Sequence, residues 1–360
     1  MMKSLVAALL LSAPLVTFAQ PGFLKCENEI LGQVGGSSLL KTYTREYWKI
    51  ARRETKNLPA ALLKVGFVVG DFHYNNVGLY FDRDRSQAEI LVNDFDDAGS
   101  NLLLVDFFKY LNFVQKTDKN VDQDQLLHNY VAGLRRQSLP PPAELAVLLQ
   151  RDQKDFRKEH DKYIENRREE FSLFDKHSLN SAQLAQVEKL SKLKLIRELN
   201  GLDYMVSVND SGSSMNAQRI EFMGTDNNGI TGVIEFKQLK CAATGNETEQ
   251  NLTENFNYVK KFFNSNFPSS EVIGLSVYRL DDTHQFLVRE KKKNALKKIG
   301  LEKLPTSRIQ AVSNYYAAYL GRLHSPSADA AYINAVIANK EMLLEKARSV
   351  GKIFKDTVKN

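Results

Sequence analysis

Gly70-Asp-Phe-His-Tyr-Asn-Asn76 closes the β-branched, aromatic run Lys64-Val-Gly-Phe-Val-Val-Gly70, and Asn93-Asp-Phe-Asp-Asp-Ala98 comes shortly after it. Between the two lie Val77-Gly-Leu-Tyr-Phe-Asp82 and Glu89-Ile-Leu-Val-Asn93, separated by the polar stretch 83–88. The first run reads as a buried strand and the next two as a hairpin. Pairing around a six-residue loop sets Val77 opposite Asp94. Asn76 and Asp94 then sit side by side at the open end of the hairpin, and Asp71 arrives there from the end of the preceding strand. Two carboxylates and a carboxamide at one sheet edge suit Mg²⁺, a hard cation that takes oxygen ligands. A carboxylate left free of metal could instead accept a proton from an alcohol. Asp, Asn and Gly also gather in loops for backbone reasons alone, but here the whole order of strand, loop, hairpin and Asp is present.

Working outward, residues 37–63 have helical spacing, and residues 102–200 read as mostly helical: 102–114, 122–136, then the polar stretch 143–199. Pro140-Pro-Pro142 forbids a continuous helix between the last two. Near residue 201 the pattern turns to β. Tyr204–Val208, Ala217–Met223 and Ile230–Lys240 form a predicted meander, followed by a helix over 247–264. A second hairpin joins Gly274–Leu280 to Gln285–Glu290 through Asp281-Asp-Thr-His284. From Ser307 the chain is helical again. The predicted class is α+β with segregated lobes.

The chain has 360 residues, 43% hydrophobic and 26% charged, with a formal net charge of +6. That length supports a sizeable core. The basic residues are spread along the sequence, which argues against a specific nucleic-acid footprint. Beyond the N-terminus no apolar run approaches the ~20 residues needed to span a bilayer. Met1–Lys3, the apolar run Leu5–Val16 and Thr17-Phe18-Ala19 have the layout of a secretory signal peptide over residues 1–19, so export with a mature start near Gln20 is expected. In an exported chain Cys26 and Cys241 either pair or remain two buried thiols. Trp48, the sole tryptophan, is expected in the core or at a contact between lobes.

Asp71 and Asn76 match the D-x4-N catalytic loop of protein-kinase-like and aminoglycoside-phosphotransferase-like enzymes, and Asp94 matches the metal-binding Asp after their next hairpin. Asp106, in Leu104-Val-Asp106-Phe-Phe-Lys109, resembles the helix Asp that braces that loop. More closely, GDFHYNNVG…NDFDDA…D-x-x-K resembles the bacterial family called domain of unknown function 2252, through Phe286-Leu-Val-Arg289 and Tyr319-Leu-Gly-Arg-Leu-His324 as well.

The resemblance implies a kinase-like two-lobe fold in circularly permuted order, because the β meander follows the catalytic loop instead of preceding it. It divides the chain into a helical lobe (20–200), a nucleotide-binding β lobe (201–300) and C-terminal helices returning to the first lobe (301–360). It implies phosphoryl transfer from ATP, with Mg²⁺, to a hydroxyl-bearing acceptor. Asp71 would serve as base with His73 orienting the loop; Asn76, Asp94 and Asp96 would face the metal. Gly212, Ser213 and Lys237 would meet the phosphates, with Lys240 a rival to Lys237 and Glu247, Glu249 or Glu254 as the lysine's partner. The loop Asp210-Ser-Gly-Ser-Ser214 has a single glycine. A pseudokinase-type binding module and a metal-dependent phosphoesterase are the alternatives. On the kinase reading, 204–240 and 274–290 form one antiparallel sheet facing the Asp71/Asp94 edge, with Lys237 no more than ~15 Å from Asp94, a span of four to five extended residues.

Overall fold

The computed structural model describes residues 24–25, 39–82, 87–208, 217–245, 249–266, 276–281, 284–291 and 303–358. The predicted signal peptide, Cys26, Glu247 and the loop with Gly212 and Ser213 lie outside them. Its secondary structure is α+β, as the sequence pattern requires.

The described chain opens with β1 (Leu24–Lys25), α1 (Leu39–Thr42) and α2 (Thr44–Thr55). Next come β2 (Val65–Val68), the hairpin β3 (Val77–Asp82) and β4 (Gln87–Val92), and β5 (Gly99–Leu102). β5 pairs antiparallel with β2, Phe67 opposite Ser100. The sequence pattern did not predict β5, because Gly99-Ser-Asn-Leu102 has neither alternation nor β-branched residues. The hairpin register is two residues from the expected one. Val77 faces Val92 and Leu79 faces Ile90, so Gln87 and Ala88 belong to the strand and the loop is shorter. This register pairs the buried apolar residues with each other, and a two-residue shift keeps every side chain on its expected face.

Helix α3 (Leu103–Thr117) is apolar on almost every side and buried along most of its length, as such a helix must be. Helices α4 (Gln123–Leu134) and α5 (Ala143–Leu149) follow, then α6 (Gln153–Leu173), α7 (Ser181–Ser191) and α8 (Lys194–Arg197). The strands β6 (Asn200–Val208), β7 (Gln218–Thr225) and β8 (Thr231–Gln238) form the meander, and β9 (Glu249–Gln250) pairs with β1. After α9 (Leu252–Asn266) come β10 (Ser276–Arg279) and β11 (Gln285–Glu290), and the chain closes with α10 (Thr306–His324), α11 (Ala330–Ala338) and α12 (Lys340–Thr357).

A five-stranded antiparallel sheet has the order β10-β11-β8-β7-β6. Its strand period of two separates two faces. Ile220, Phe222, Ile234, Phe236, Phe286 and Val288 pack with Val187, Leu190, Ile196 and Leu199 of the α7–α8 region. The opposite face presents Arg219, Glu221, Glu235, Lys237 and Arg289, with α6 covering part of it through Ile164 and Phe171 against Met223 and Val233.

The larger core gathers α2, α3, α4, α9 and α10–α12 around β2–β5, and Leu287 of the sheet joins it. The C-terminal helices thus pack against the first helical segment. Packing does not divide the chain at residue 200, since α6–α8 lie on the sheet. Helix α9 lies on the larger core, where the Phe262 ring stacks on Phe67 at 4.1 Å between centroids. Helices α4 and α10 cross at Gly133 and Gly321, where a Cβ would strike the backbone of the partner helix. Cys241 is disulfide-bonded. No helix among the described residues is long and apolar enough to cross a membrane.

Candidate active site

Asp106 is 0% exposed and lies one turn into α3, where its carboxylate fixes the loop after β2. Val69 N donates to Oδ2 at 2.7 Å and Gly70 N donates to Oδ1 at 3.0 Å. His324 Nε2 lies 3.2 Å from Oδ2, and Tyr130 Oη lies 2.8 Å from His324 Nδ1. With Asp106 as acceptor, the imidazole donates through Nε2 and accepts the Tyr130 proton at Nδ1. From the other side Trp48 Nε1 donates to Gly70 O at 2.7 Å. Gly70 has φ of +82° and a Cβ there would overlap the Asp97 carbonyl, so only glycine turns the chain at this point. Trp48, expected in the core, is therefore also a fastener of this loop.

Asp71 follows immediately and is almost fully engaged. Lys109 of α3 forms an ion pair with Oδ1 and also donates to Thr44 Oγ1 at 3.1 Å. His73 Nε2 lies 3.2 Å from Oδ2. Asn76 Nδ2 donates to Oδ2 at 3.2 Å and to the Asp71 carbonyl at 2.9 Å. Because Asn75 N donates to His73 Nδ1 at 3.1 Å, the His73 proton is on Nε2 and points at Asp71. The ring also stacks on Phe113 with centroids 4.8 Å apart. His73 therefore orients Asp71. Burial alone would raise the Asp71 carboxyl, but Lys109 and His73 outweigh it and hold the group well below the usual carboxylate range. Asp71 is therefore an anion held by the side chains of Lys109, His73 and Asn76.

The second carboxylate group comes from the segment after β4. Lys237, 1% exposed on β8, reaches across to it. Its Nζ lies 3.3 Å from Asp94 Oδ1 and forms an ion pair with Asp96 Oδ2, joining residues 143 apart in sequence. Burial pushes up both carboxyls. Lys237 and Arg289 overcome this at Asp94 and hold it low, while the neighbouring Asp94 charge keeps Asp96 raised. The two carboxylates in turn raise Lys237 against its burial.

Asp96 Oδ1 is buried and no group among the described residues donates to it. Two carboxylates around one cation, with an acceptor to spare, match the usual Mg²⁺ donor set of one or two carboxylates plus substrate phosphates. Among the described residues no three His, Cys, Asp or Glu side chains close on one point as an all-protein cage would. Asn76 is brought to Asp71, and its side-chain amide is turned toward that residue.

Asp97 ties this segment to residues 243–244. Ala243 N donates to Oδ1 at 2.9 Å, and Thr244 Oγ1 donates to the Asp97 carbonyl at 2.8 Å. Burial and the Asp71 charge push its carboxyl up to about 7.

The expected glutamate partner of Lys237 is not Glu254, which is exposed at the start of α9; Asp94 and Asp96 take that place. The side chain of Glu249 and all of Glu247 lie outside the described residues. Sequence reasoning assigned no role to Lys109, Glu235, Arg219 or Arg289. Lys109 was legible as a charged residue on the apolar face of a buried helix, one turn after Asp106. Glu235 is 0% exposed and accepts from Arg219 Nη1 at 2.5 Å and Arg289 Nε at 2.7 Å. Arg289 also donates through Nη1 to Asn93 O at 2.9 Å. Comparison with known protein families, with curated proteins and with solved structures finds no match to this chain.

Proposed function

We propose that the protein is a phosphotransferase with a permuted kinase-like arrangement, moving a phosphoryl group from a nucleoside triphosphate to a hydroxyl-bearing acceptor. One observation carries the reading: Lys237, from a strand far down the chain, meets Asp94 and Asp96 beside the Asp71 loop. A strand lysine, a metal-binding aspartate and a loop aspartate–asparagine pair are the parts this chemistry uses. The motif resemblance to the domain of unknown function 2252 family points the same way.

In this reading Asp94 and Asp96 hold Mg²⁺, which when bound neutralises phosphate charge. Lys237 donates to phosphate oxygens. Asp71, kept ionised by Lys109 and oriented by His73 and Asn76, accepts a hydrogen bond from the acceptor hydroxyl and aligns it. Asp106, held by His324, keeps the loop rigid; alignment of this kind supplies much of the rate enhancement in phosphoryl transfer. The N-terminal segment adds export to the proposal, and mass spectrometry of native material should find a start near Gln20.

A thermal-shift experiment tests the reading. ATP with MgCl₂ should raise the melting temperature by several degrees, and ATP with EDTA should not. No response to either speaks against a nucleotide site. Binding without transfer to any hydroxyl compound leaves a binding module.

A further inference from the structure

Phosphate groups bound by a kinase-type loop are cradled by backbone amides, which needs several glycines so that the chain can approach closely. The corresponding stretch of this sequence, 209–216, has only Gly212. The sheet supplies charge instead. Arg219 of β7 lies directly across from Lys237 of β8, and Arg289 of β11 lies across from Glu235. Lys291, just past β11, projects from the same face and pairs with Glu221, and its Nζ lies 3.4 Å from Glu235 Oε1.

The layer has a definite depth. Glu235 and Glu221 are 0% and 1% exposed in their side chains, whereas Arg219, Arg289 and Lys291 keep 19%, 20% and 28%. The carboxylates lie underneath and space the cations, which retain the accessible surface. The Arg289 bond to Asn93 O sets this layer next to Asp94. A buried carboxylate left without any cation is strongly destabilising, so each one in such a network keeps at least one partner. Here Arg219, Arg289 and Lys291 stand over Glu221 and Glu235, three charges against two, while Lys237 on the same face pairs with Asp94 and Asp96. Arg167 adds a further cation at Glu221 and is itself met by Glu170. Once Asp94 and Asp96 are taken by a divalent cation, this face has an excess of positive charge.

We propose that Arg219, Arg289 and Lys291 bind the phosphates of a polyphosphate chain through side-chain cations, in place of a glycine-rich backbone cradle. The inference rests on the phosphotransferase reading for its location beside Lys237 and Asp94. It extends that reading by naming the residues and the ligand chemistry: a chain of at least three phosphates, either carried on a nucleoside or inorganic. Arginine suits the role because its planar fork meets phosphate oxygens in pairs.

Calorimetric titration of the full chain with ATP, inorganic tripolyphosphate and adenosine, each with Mg²⁺, tests it. Tripolyphosphate should bind within about tenfold of ATP and compete with it, and adenosine should not bind measurably. Arg219→Gln and Lys291→Gln should each weaken both polyanions by roughly tenfold, the scale of one charge-assisted hydrogen bond. Arg219→Lys should recover part of the loss. Arg219→Gln leaves Glu235 with Arg289 and Lys291, and Lys291→Gln leaves Glu221 with Arg167, so both variants keep their buried carboxylates paired. Unchanged ATP affinity in both glutamine variants overturns the proposal, as does adenosine binding as tightly as ATP. Charge-dependent tripolyphosphate binding without any phosphoryl transfer would sink the phosphotransferase reading and keep this one. Transfer from ATP that ignores both glutamine substitutions would do the reverse.

Discussion

Replacing Lys237 by Met keeps the aliphatic stem and removes the cation between Asp94 and Asp96. Two carboxylates are then left facing each other with one ammonium fewer. Removing one member of a buried ion pair costs about 3–5 kcal/mol. The Asp94 side chain is 32% exposed while Asp96 is 15% exposed, which places the expected loss at the low end, about 3 kcal/mol. At ~2 °C per kcal/mol for a chain of this size, the melting temperature in EDTA should fall by about 6 °C. A divalent cation offers itself as a substitute for the missing charge. At a hundredfold excess over its dissociation constant it returns ~2.7 kcal/mol, so Mg²⁺ or Mn²⁺ should restore most of the drop. Wild type, with Lys237 already in place, should gain less. Differential scanning fluorimetry over a metal titration reads both effects. A variant as stable as wild type in EDTA, or one that gains no more from metal than wild type does, refutes the reasoning.

Three further perturbations follow from the same geometry. Asp97→Asn keeps an oxygen for Ala243 N but cannot ionise; because the folded carboxyl is raised to about 7 from 3.8, wild-type stability falls as pH rises through that window and then levels, since the unfolded chain gives up its proton first. Urea denaturation should show the variant's advantage growing between pH 4 and 7, bounded near ~4 kcal/mol at ~1.4 kcal/mol per pH unit, and a constant difference across that range would reject the burial argument. Gly70→Ala forces an L residue to a φ of +82° and against the Asp97 carbonyl, so unfolding free energy should drop by about 2 kcal/mol or more; no change would mean that the loop has another course. Asp106→Asn turns a donor toward Val69 N or Gly70 N and leaves one buried amide unsatisfied, a loss of about 1–3 kcal/mol, and Trp48 fluorescence should shift because its indole bonds the same residue; an unshifted spectrum with full stability would contradict the brace.

How much of this was readable beforehand depended on which physical signal each residue had. Strands β7 and β8 of the larger sheet were legible because Ile220, Phe222, Ile234 and Phe236 alternate with polar residues, and period two marks a strand. That alternation also placed Lys237 on the polar face, away from the core formed by those four residues. The Asp71 loop and the aspartates after the hairpin were legible as motifs. Strand β5 was not, since Gly99-Ser-Asn-Leu102 is held by pairing with β2 and not by its own propensity. The hairpin register slipped by two because Gln87 and Ala88 look like turn residues until Leu79 is matched with Ile90. The attachment of α6–α8 to the sheet was hidden, because connectivity alone does not say which core a helix covers. The cations around Glu235 escaped as well: a sequence shows charge but not that it is buried against an opposite charge. The loop with Gly212 and Ser213 lies outside the described residues, so their expected contact with phosphate stands as part of the proposed function.

The central claim is that Asp71 and Asp94 do different work, one on the acceptor and one on the metal. Titrating ATP at several Mg²⁺ concentrations against wild type, Asp71→Asn and Asp94→Asn tests it most directly, with phosphoryl transfer followed in the same samples once an acceptor is found. Asp94→Asn should lose metal-dependent nucleotide binding and activity together. Asp71→Asn should bind nucleotide nearly as wild type does while its turnover falls by roughly 10²-fold, the scale for losing the alignment of a reacting group. Equal loss of metal affinity in both variants, with no effect on nucleotide binding in either, would contradict it.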